Sequence, residues 1–510
     1  MKLARPLQWF VGTVVTGSVL SIGVLLFFLS EVDHVLGGNT AVVDATQFKA
    51  ISGTLAIVDV NVWSAKSESM LPNQTVLIRD RLIESIGQEI QVPSNYFVID
   101  GEGKYLIPGL IDSHVHIKKS KNDLLLYLAN GVTHIGEMTG MKDHFKYRKE
   151  IAAGGLGPDI YISSPKVTSQ NGMMPTLRSW FEKRHQNFLS PLEGQRAVTQ
   201  FKLLGYDSIK ISSDLSSEIY FAVAKEAEEQ GISVIGHLPI GLDMDDLYES
   251  GQSQLAHIDS ITMVTINDFG GLTTKNSEAY LEYLRKNIDQ IAVKLKEHKV
   301  VVSSTIWLIE SLPKQKLNLP GFLKTIELKY QNPGWVEGSL ISKGWLPGNN
   351  SYENPNNIDA ESKREIQSYW QTYIDAMHIT TRALARNGVT IIAGTDSNGA
   401  DGVIAGFSLH DELESLNKVG LTNSQVLYAA TVAPSEWMGI NAGKIEIGFQ
   451  ADLVLLNKNP LADISNTRSI NAVIADGNYL DRVKLDEILG AVEAANNSSR
   501  KVSIDAYLAE

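Results

Sequence analysis

The stretch Tyr105-Leu106-Ile107-Pro108-Gly109-Leu110-Ile111-Asp112-Ser113-His114-Val115-His116 constrains this chain more than any other. Its apolar part reads as a short buried strand, and its end carries two imidazoles at i and i+2, which a strand projects on one face. Two same-facing histidines at such a position suit a metal site at the C-terminal mouth of a parallel barrel, because imidazole is a common ligand for zinc-like ions. Standing alone, a His-x-His among eleven histidines is more often a surface or core coincidence. The rest of the chain decides.

Four further apolar runs carry groups of the same chemistry at or near their ends. They are Ser208-Ile209-Lys210-Ile211, Val234-Ile235-Gly236-His237, Leu255-Ala256-His257-Ile258-Asp259 and Ile391-Ile392-Ala393-Gly394-Thr395-Asp396. Each has an ordinary reading: Lys210 as a solvated lysine, Gly-Thr-Asp-Ser as a turn or helix cap. A lysine flanked by isoleucines in a buried strand would bear an uncompensated charge, and the run before Asp396 is strand-like, so both ordinary readings are weaker here.

The order His-x-His, Lys, His, His, Asp closely resembles the amidohydrolase superfamily, over nearly everything after residue 50. The resemblance implies that Lys210 is carbamylated by carbon dioxide and bridges two divalent ions, zinc being the expected metal. His114, His116 and Asp396 would hold one ion, His237 and His257 the other. It further implies cleavage of a C–N bond by a metal-bridging hydroxide, with Asp396 as both ligand and proton shuttle. Within the superfamily the pattern is nearest the prolidase-like, peptidase-like branch, with a small amide or dipeptide-like substrate. Departures are Gly136-Glu137-Met138 at the second strand end, where arginine-aspartate is common, and a region after strand three, Thr168 to Met174, without the usual glycine and histidine pattern. No residue stands out as a clamp for a substrate carboxylate.

A cyclic amidase of the hydantoinase or dihydroorotase kind, or a lactonase, would use the same ligands. A deaminase would usually carry a glutamate three residues after the strand-five histidine, where Ile240 stands. A non-enzymatic scaffold on the same fold typically loses ligands, and all six are present.

Strands and helical patterns alternate as an α/β fold requires, and eight candidate strands end near His116, Met138, Pro165, Ser212, His237, Asp259, Thr305 and Asp396. The expected architecture is a (β/α)8 TIM barrel over 107–435, with amphipathic helices such as 218–230 and 280–298. A discontinuous small β-sandwich would bracket it, built from 40–106 and 436–485, and 486–510 would form a C-terminal tail. The 312–363 segment is long for a βα connection and rich in Pro, Gly, Asn and aromatics, including Trp335, Trp345 and Tyr352. It reads as a lid, a surface insertion or a homo-oligomer contact. Among other histidines, His134 reads as core, His298 and His378 as helical, and His144, His185 and Arg178 lie where substrate groups of such barrels sit.

Residues 1–39 read as a transmembrane signal anchor and linker. From Pro6 to Ser30 no residue is charged, and 9–29 would span roughly 30 Å as a helix. Lys2 and Arg5 precede this run and Glu31 and Asp33 follow it, which places the catalytic part outside the cytoplasm, periplasmic in a Gram-negative cell. A cleaved signal peptide, and hence secretion, is the alternative. A net charge of −13 argues against nucleic acid as partner, and the absence of cysteine excludes disulfides and thiolate chemistry.

Overall fold

The computed structural model describes residues 22–172, 184–354 and 358–508. The first strands are β1 (Leu55–Ser64), β2 (Ser69–Arg79), β3 (Leu82–Gly87), β4 (Phe97–Asp100) and β5 (Tyr105–Pro108). Ten short strands follow among helices: β6 (Leu110–Val115), β7 (Val132–Glu137), β8 (Asp159–Ile162), β9 (Lys166–Thr168), β10 (His185–Asn187), β11 (Ser208–Ile211), β12 (Ser233–Gly236), β13 (Gln254–Leu255), β14 (Val301–Ser303) and β15 (Ile391–Ile392). The last are β16 (Leu453–Leu456), β17 (Ile470–Ala475) and β18 (Asn478–Asp481).

The first and last groups share one eight-stranded sheet, ordered β18-β17-β16-β5-β1-β2-β3 with β4 beside β1. Val454 of β16 pairs antiparallel with Ile107 of β5, so the two ends of the chain meet in one layer. Where a discontinuous β-sandwich was expected, the two ends of the chain form this single sheet, each strand paired with the next and with register shifts in β1, β2 and β16. Leu55, Ile57, Val76, Leu453 and Ile474 alternate onto its buried face and form a core of their own. Only Gly109 separates β5 from β6, and a Cβ there would lie 2.1 Å from Thr133 Oγ1, so the chain passes from sheet to site through a residue that must lack a side chain.

Strands β6, β7 and β8 are parallel neighbours, and β11 to β15 follow one another in parallel order. Ser163, just past β8, bridges to Ser208 of β11, while Val115 of β6 bridges to Ser397 beyond β15. Strands β9 and β10 add a short parallel pair, attached where Val167 meets Ile211. The expected strand ends fall just after β6, β7, β8, β11, β12, β13, β14 and β15. Every residue of β6, β7 and β11 is buried, the signature of strands covered on both faces. The helices Ser217–Gln230 and Ser277–Glu297 cover the sheet with apolar stripes such as Ile219, Tyr220, Val223 and Ala227.

Three segments differ from expectation. Of the expected span 6–30, residues up to 21 lie outside the described part; 22–35 is helical, and among the described residues no helix is long and apolar enough to cross a membrane. The linker at 32–39 is instead packed: Val32 and Leu36, one turn apart, bury against Met141, and Trp335 Nε1 donates to the Val35 carbonyl at 2.6 Å. The C-terminal tail is largely the helix Arg482–Ser499, started by the Asp481 side chain accepting from Lys484 N–H. Its Leu485, Ile488 and Val492 form a buried stripe that the sequence displays at helical spacing.

The 312–363 segment belongs to the mouth. The helix Ile306–Leu323 kinks at Asn318, and Leu319, Phe322, Trp335 and Trp345 cluster with Ile404. Gln331 Nε2 donates to Asn398 Oδ1 at 2.9 Å, two residues beyond Asp396, and Gln315 Nε2 donates to the Asp401 carbonyl at 2.9 Å. Gln315 and Gln331 thereby tie the described part of the segment to the loop after Asp396.

Candidate metal centre

All six sequence-predicted residues come together at the C-terminal ends of the short parallel strands. His116 Nε2 lies 2.9 Å from Asp396 Oδ1 and His114 Nε2 lies 3.5 Å from the same oxygen. Ligating atoms of His114, His257 and Asp396 fall within 4.8 Å of one another. The His257 ring sits 4.6 Å from that of His114 and 5.0 Å from that of His237, centroid to centroid. Lys210 pairs with Ile235 one strand over, next to Gly236 and His237. Gly236 has φ 120°, and a Cβ on it would stand 2.5 Å from the Ile211 carbonyl and 3.1 Å from Lys210 Cδ, so only glycine lets the lysine lie flat there.

The outer ring nitrogens are pinned, which turns the others inward. His116 Nδ1 and His257 Nδ1 each lie 2.9 Å from a threonine hydroxyl, Thr139 and Thr305, and His237 Nδ1 lies 3.3 Å from the Ile211 carbonyl. Thr139 spends its own proton on Glu137 Oε1 at 3.2 Å, so it accepts from His116 Nδ1–H. The inward His116 Nε2 then stands at hydrogen-bond distance from Asp396 Oδ1, donating to it when protonated; without that proton the two are acceptors at 2.9 Å and repel unless a cation lies between or beside them.

Burial adds to this. Lys210 Nζ and both ring nitrogens of His114 are buried and find no hydrogen-bond partner among the described residues. Burial, then neighbouring cationic groups, holds His114, His237 and Lys210 well below their usual values. His257 is held down at about 4, chiefly by burial. Burial works to raise Asp396, but the hydrogen bond and charge of His116, with His257 and Lys166, hold it at about 2. Four neutral imidazoles, one carboxylate and one amine without a partner make a donor set that fits divalent ions of the zinc class.

Sequence reasoning missed several residues that build this site. Glu137, fully buried at the end of β7, accepts from Ile117 N–H at 2.5 Å through Oε2 and from Thr139 N–H at 2.8 Å through Oε1. It fixes the chain immediately after His116, and the sequence offered it only as a departure from pattern. Asp112 accepts from Thr395 Oγ1 at 2.7 Å and Thr395 N–H at 3.0 Å, locking β6 to the loop after β15 that carries Asp396. Burial pushes its carboxyl up to about 7. Its place two residues before His114, on the same strand face, was a readable signal. Lys166 on β9 lies near enough for its charge to act on Lys210, His237, His257 and Asp396, and nothing in the sequence pointed to it.

The remaining histidines take structural positions. His144 Nε2 donates to the Lys118 carbonyl at 2.7 Å, steadying the loop after His116. His134 is core, 3.6 Å from an Asp159 oxygen, His378 pairs with Glu310 at 2.8 Å, and His298 stacks on Tyr248. His185 lies on β10, and Arg178 lies outside the described residues.

A sequence model of the amidohydrolase family matches residues 208–480, a stretch that contains Lys210, His237, His257 and Asp396. A 5'-deoxyadenosine deaminase of Methanosphaera stadtmanae is 22% identical over 458 residues, 84% of this chain and 93% of that one. A prolidase solved with N-methylphosphonate-L-proline shares the fold at TM-score 0.61 and 18% identity, covering 84% of this chain and 99% of that one. The bottromycin amidohydrolase does so at TM-score 0.64 and 20% identity, covering 87% and 90%. With more than half of its length matched by the family, the chain belongs to the amidohydrolase family, and so to the hydrolases of carbon–nitrogen bonds.

Proposed function

We propose that this chain is a binuclear metal-dependent amidohydrolase cleaving an amide or peptide-like bond in a small substrate, with a prolidase-like dipeptidase as the specific form. Lys210 carries the reading: a wholly buried amine without a partner, among four imidazoles and a carboxylate. A bare ammonium there would cost several kcal/mol. If its neutral nitrogen bonds to the carbon of CO2 and releases one proton, the resulting carbamate offers two oxygens to two cations. In this reading His114, His116 and Asp396 hold one ion, His237 and His257 the other, and Lys210 bridges them. When bound, such ions make hydroxide available near neutral pH and polarise the scissile carbonyl. The Asp396 carboxylate would take a proton as the new C–O bond forms and give it to the leaving nitrogen as the C–N bond breaks. Glu137 and Asp112 keep the two histidines and the shuttle in register.

The eight parallel strands are read as one closed (β/α)8 barrel, a reading supported by the bridges at both seams, Ser163 with Ser208 and Val115 with Ser397. The uncharged run 6–30 is read as a membrane anchor with the catalytic part extracytoplasmic, supported by the charges on its two flanks. Protease added to spheroplasts should reach the catalytic part.

A deaminase is the second reading, favoured by the name of the Methanosphaera relative. Against it, the position where such enzymes usually carry a proton-donating glutamate is Ile240, which points to solvent. The test is a screen of zinc-loaded protein in bicarbonate against dipeptides, N-acyl amino acids, cyclic amides, lactones and aminopurines, with metal analysis. Two ions per chain and cleavage of a dipeptide or N-acyl amino acid are expected. Ammonia released only from aminopurines, with one ion per chain at full rate, would overturn the binuclear reading.

A further inference from the structure

The segment that follows the uncharged run is seated on the loops that carry the metal site. Asp33 pairs with Lys119, and Lys119 N–H donates to the Leu36 carbonyl at 2.9 Å. Asn332 Nδ2 donates to the Gly37 carbonyl at 3.2 Å and to Ser120 Oγ at 3.0 Å, while Thr40 Oγ1 donates to Asn332 Oδ1 at 3.0 Å. Lys118 Nζ stands 4.8 Å over the Trp335 ring, whose indole nitrogen holds Val35. Lys118, Lys119 and Ser120 lie two to four residues past His116, and Met141, packed on Val32 and Leu36, lies two past Thr139. The helix over 22–35 is thus fixed to the mouth itself.

What leaves this seat is apolar and bare. Ile22, Val24, Leu26 and Phe27 are all exposed, and the uncharged run continues from them back to Pro6. Beside the seat, Leu340 N–H donates to Glu31 Oε2 at 3.2 Å. Leu340 and Ile341, 82% and 46% exposed, sit at the tip of a short loop closed by Ser339 N–H to the Ser342 carbonyl at 2.8 Å. Loop tips normally carry polar or turn-forming residues. On the loop after β12, three residues past His237, Ile240 is 80% exposed. Large apolar side chains thus stand out from the same end of the molecule as the anchor helix.

We propose that the mouth of the metal site rests on the bilayer, with Leu340 and Ile341 dipping into the interface, and that the substrate is an amide bearing an apolar chain which enters from the lipid. The proposal rests on the reading of 6–30 as an anchor. It adds an orientation that an anchor alone does not supply, because a free linker would let the mouth face any way. A rim with apolar tips can bury them in the headgroup–acyl boundary beside an anchored helix.

The chain has no cysteine, so single labels can be placed cleanly. Leu340→Cys and, as an equally exposed control at the far end of the parallel strands, Leu203→Cys would each carry an environment-sensitive fluorophore. Both full-length proteins are reconstituted with phosphatidylcholine vesicles containing a spin-labelled lipid, alongside a chain truncated after Ser30, which keeps the seat. The label at 340 should shift to the blue and lose most of its emission to the quencher; the label at 203 should do neither. Full-length protein should float with the vesicles and the truncated chain should not. Flotation with no quenching at 340 overturns the orientation and leaves the anchor standing. Failure of the full-length chain to float overturns the anchor reading and the orientation with it. Rates on N-acyl glycines should rise with acyl length for the vesicle-bound protein; a flat or falling series overturns entry from the lipid.

Discussion

Glu137→Gln isolates how the chain aims His116 without touching any candidate ligand. The carboxylate accepts from two backbone N–H groups and one hydroxyl, all buried. Glutamine keeps the shape but offers one oxygen. If that oxygen stays with Thr139, the new NH2 faces Ile117 N–H at 2.5 Å, donor against donor; the opposite flip sets it against two donors and is worse. One charge-assisted hydrogen bond goes and a buried donor is left unsatisfied, a loss of about 2–4 kcal/mol. Part should appear as a lower melting temperature of the metal-free protein, and part as looser metal, because the backbone directly after His116 must shift away from the new NH2. Outer partners of ligating histidines typically matter about 10–100-fold in metal affinity. Competition with a graded chelator reads that factor directly, and Thr139→Val, which spares the carboxylate, should reproduce the metal loss with a smaller change in melting. If Glu137→Gln folds and holds zinc at the wild-type chelator midpoint, the carboxylate does not position the site and the reasoning fails.

Lys210→Ala should lose activity and metal together, with short carboxylic acids restoring part of both; a variant with wild-type metal content and rate would rule out the carbamate. Asp396→Asn should lower kcat by about 10²–10⁴-fold, as for a general acid–base group, with little change in substrate binding; an unchanged kcat would assign the proton transfer elsewhere. His410, buried far from the site between Thr467 Oγ1 and the Asn130 carbonyl, is held at about 3 by burial and by Arg468. Its folded value lies below its unfolded one, so stability present above about pH 6.5 is lost as pH falls towards 3, by at most about 1.4 kcal/mol per pH unit. Denaturant titrations at pH 7 and 5 should show His410→Gln flattening that slope; an identical slope would place the titration elsewhere.

The parallel strands were legible because burial on both faces forces β-branched and leucine-rich runs, and each run ended at a break the structure keeps. Val234 to His237 is a case where the strand stops and a polar group follows at once, and Asp396 comes four positions after β15. The six candidate residues could be picked out because they stand within or shortly after such short apolar strands. Packing over longer distances was not. Residues 32–39 mix charge with small and apolar groups and so resemble a linker, yet Val32 and Leu36 find Met141 more than a hundred positions away. Similarly Leu485, Ile488 and Val492 were a readable stripe, but what they cover, including the seat of Asn496 Nδ2 on the Tyr330 carbonyl at 2.8 Å, depends on an insertion whose path the sequence does not specify.

Glu137 and Lys166 mark a different limit. A metal ligand is recognisable by residue type and spacing, since few side chains bind zinc-class ions and a strand fixes which of them share a face. The residue that aims a ligand is chosen by whichever atom comes within hydrogen-bond reach, and here that is a glutamate whose carboxylate touches two backbone groups and a threonine. Neither partner type is rare, so nothing in composition singles them out. Lys166 is harder still: its strand, β9, is three residues long, and its neighbourhood to Lys210 comes from the pairing of Val167 with the distant Ile211. Its charge reaches Lys210, His237, His257 and Asp396 from a strand that no long apolar run announces, so only the folded register shows which groups it acts on.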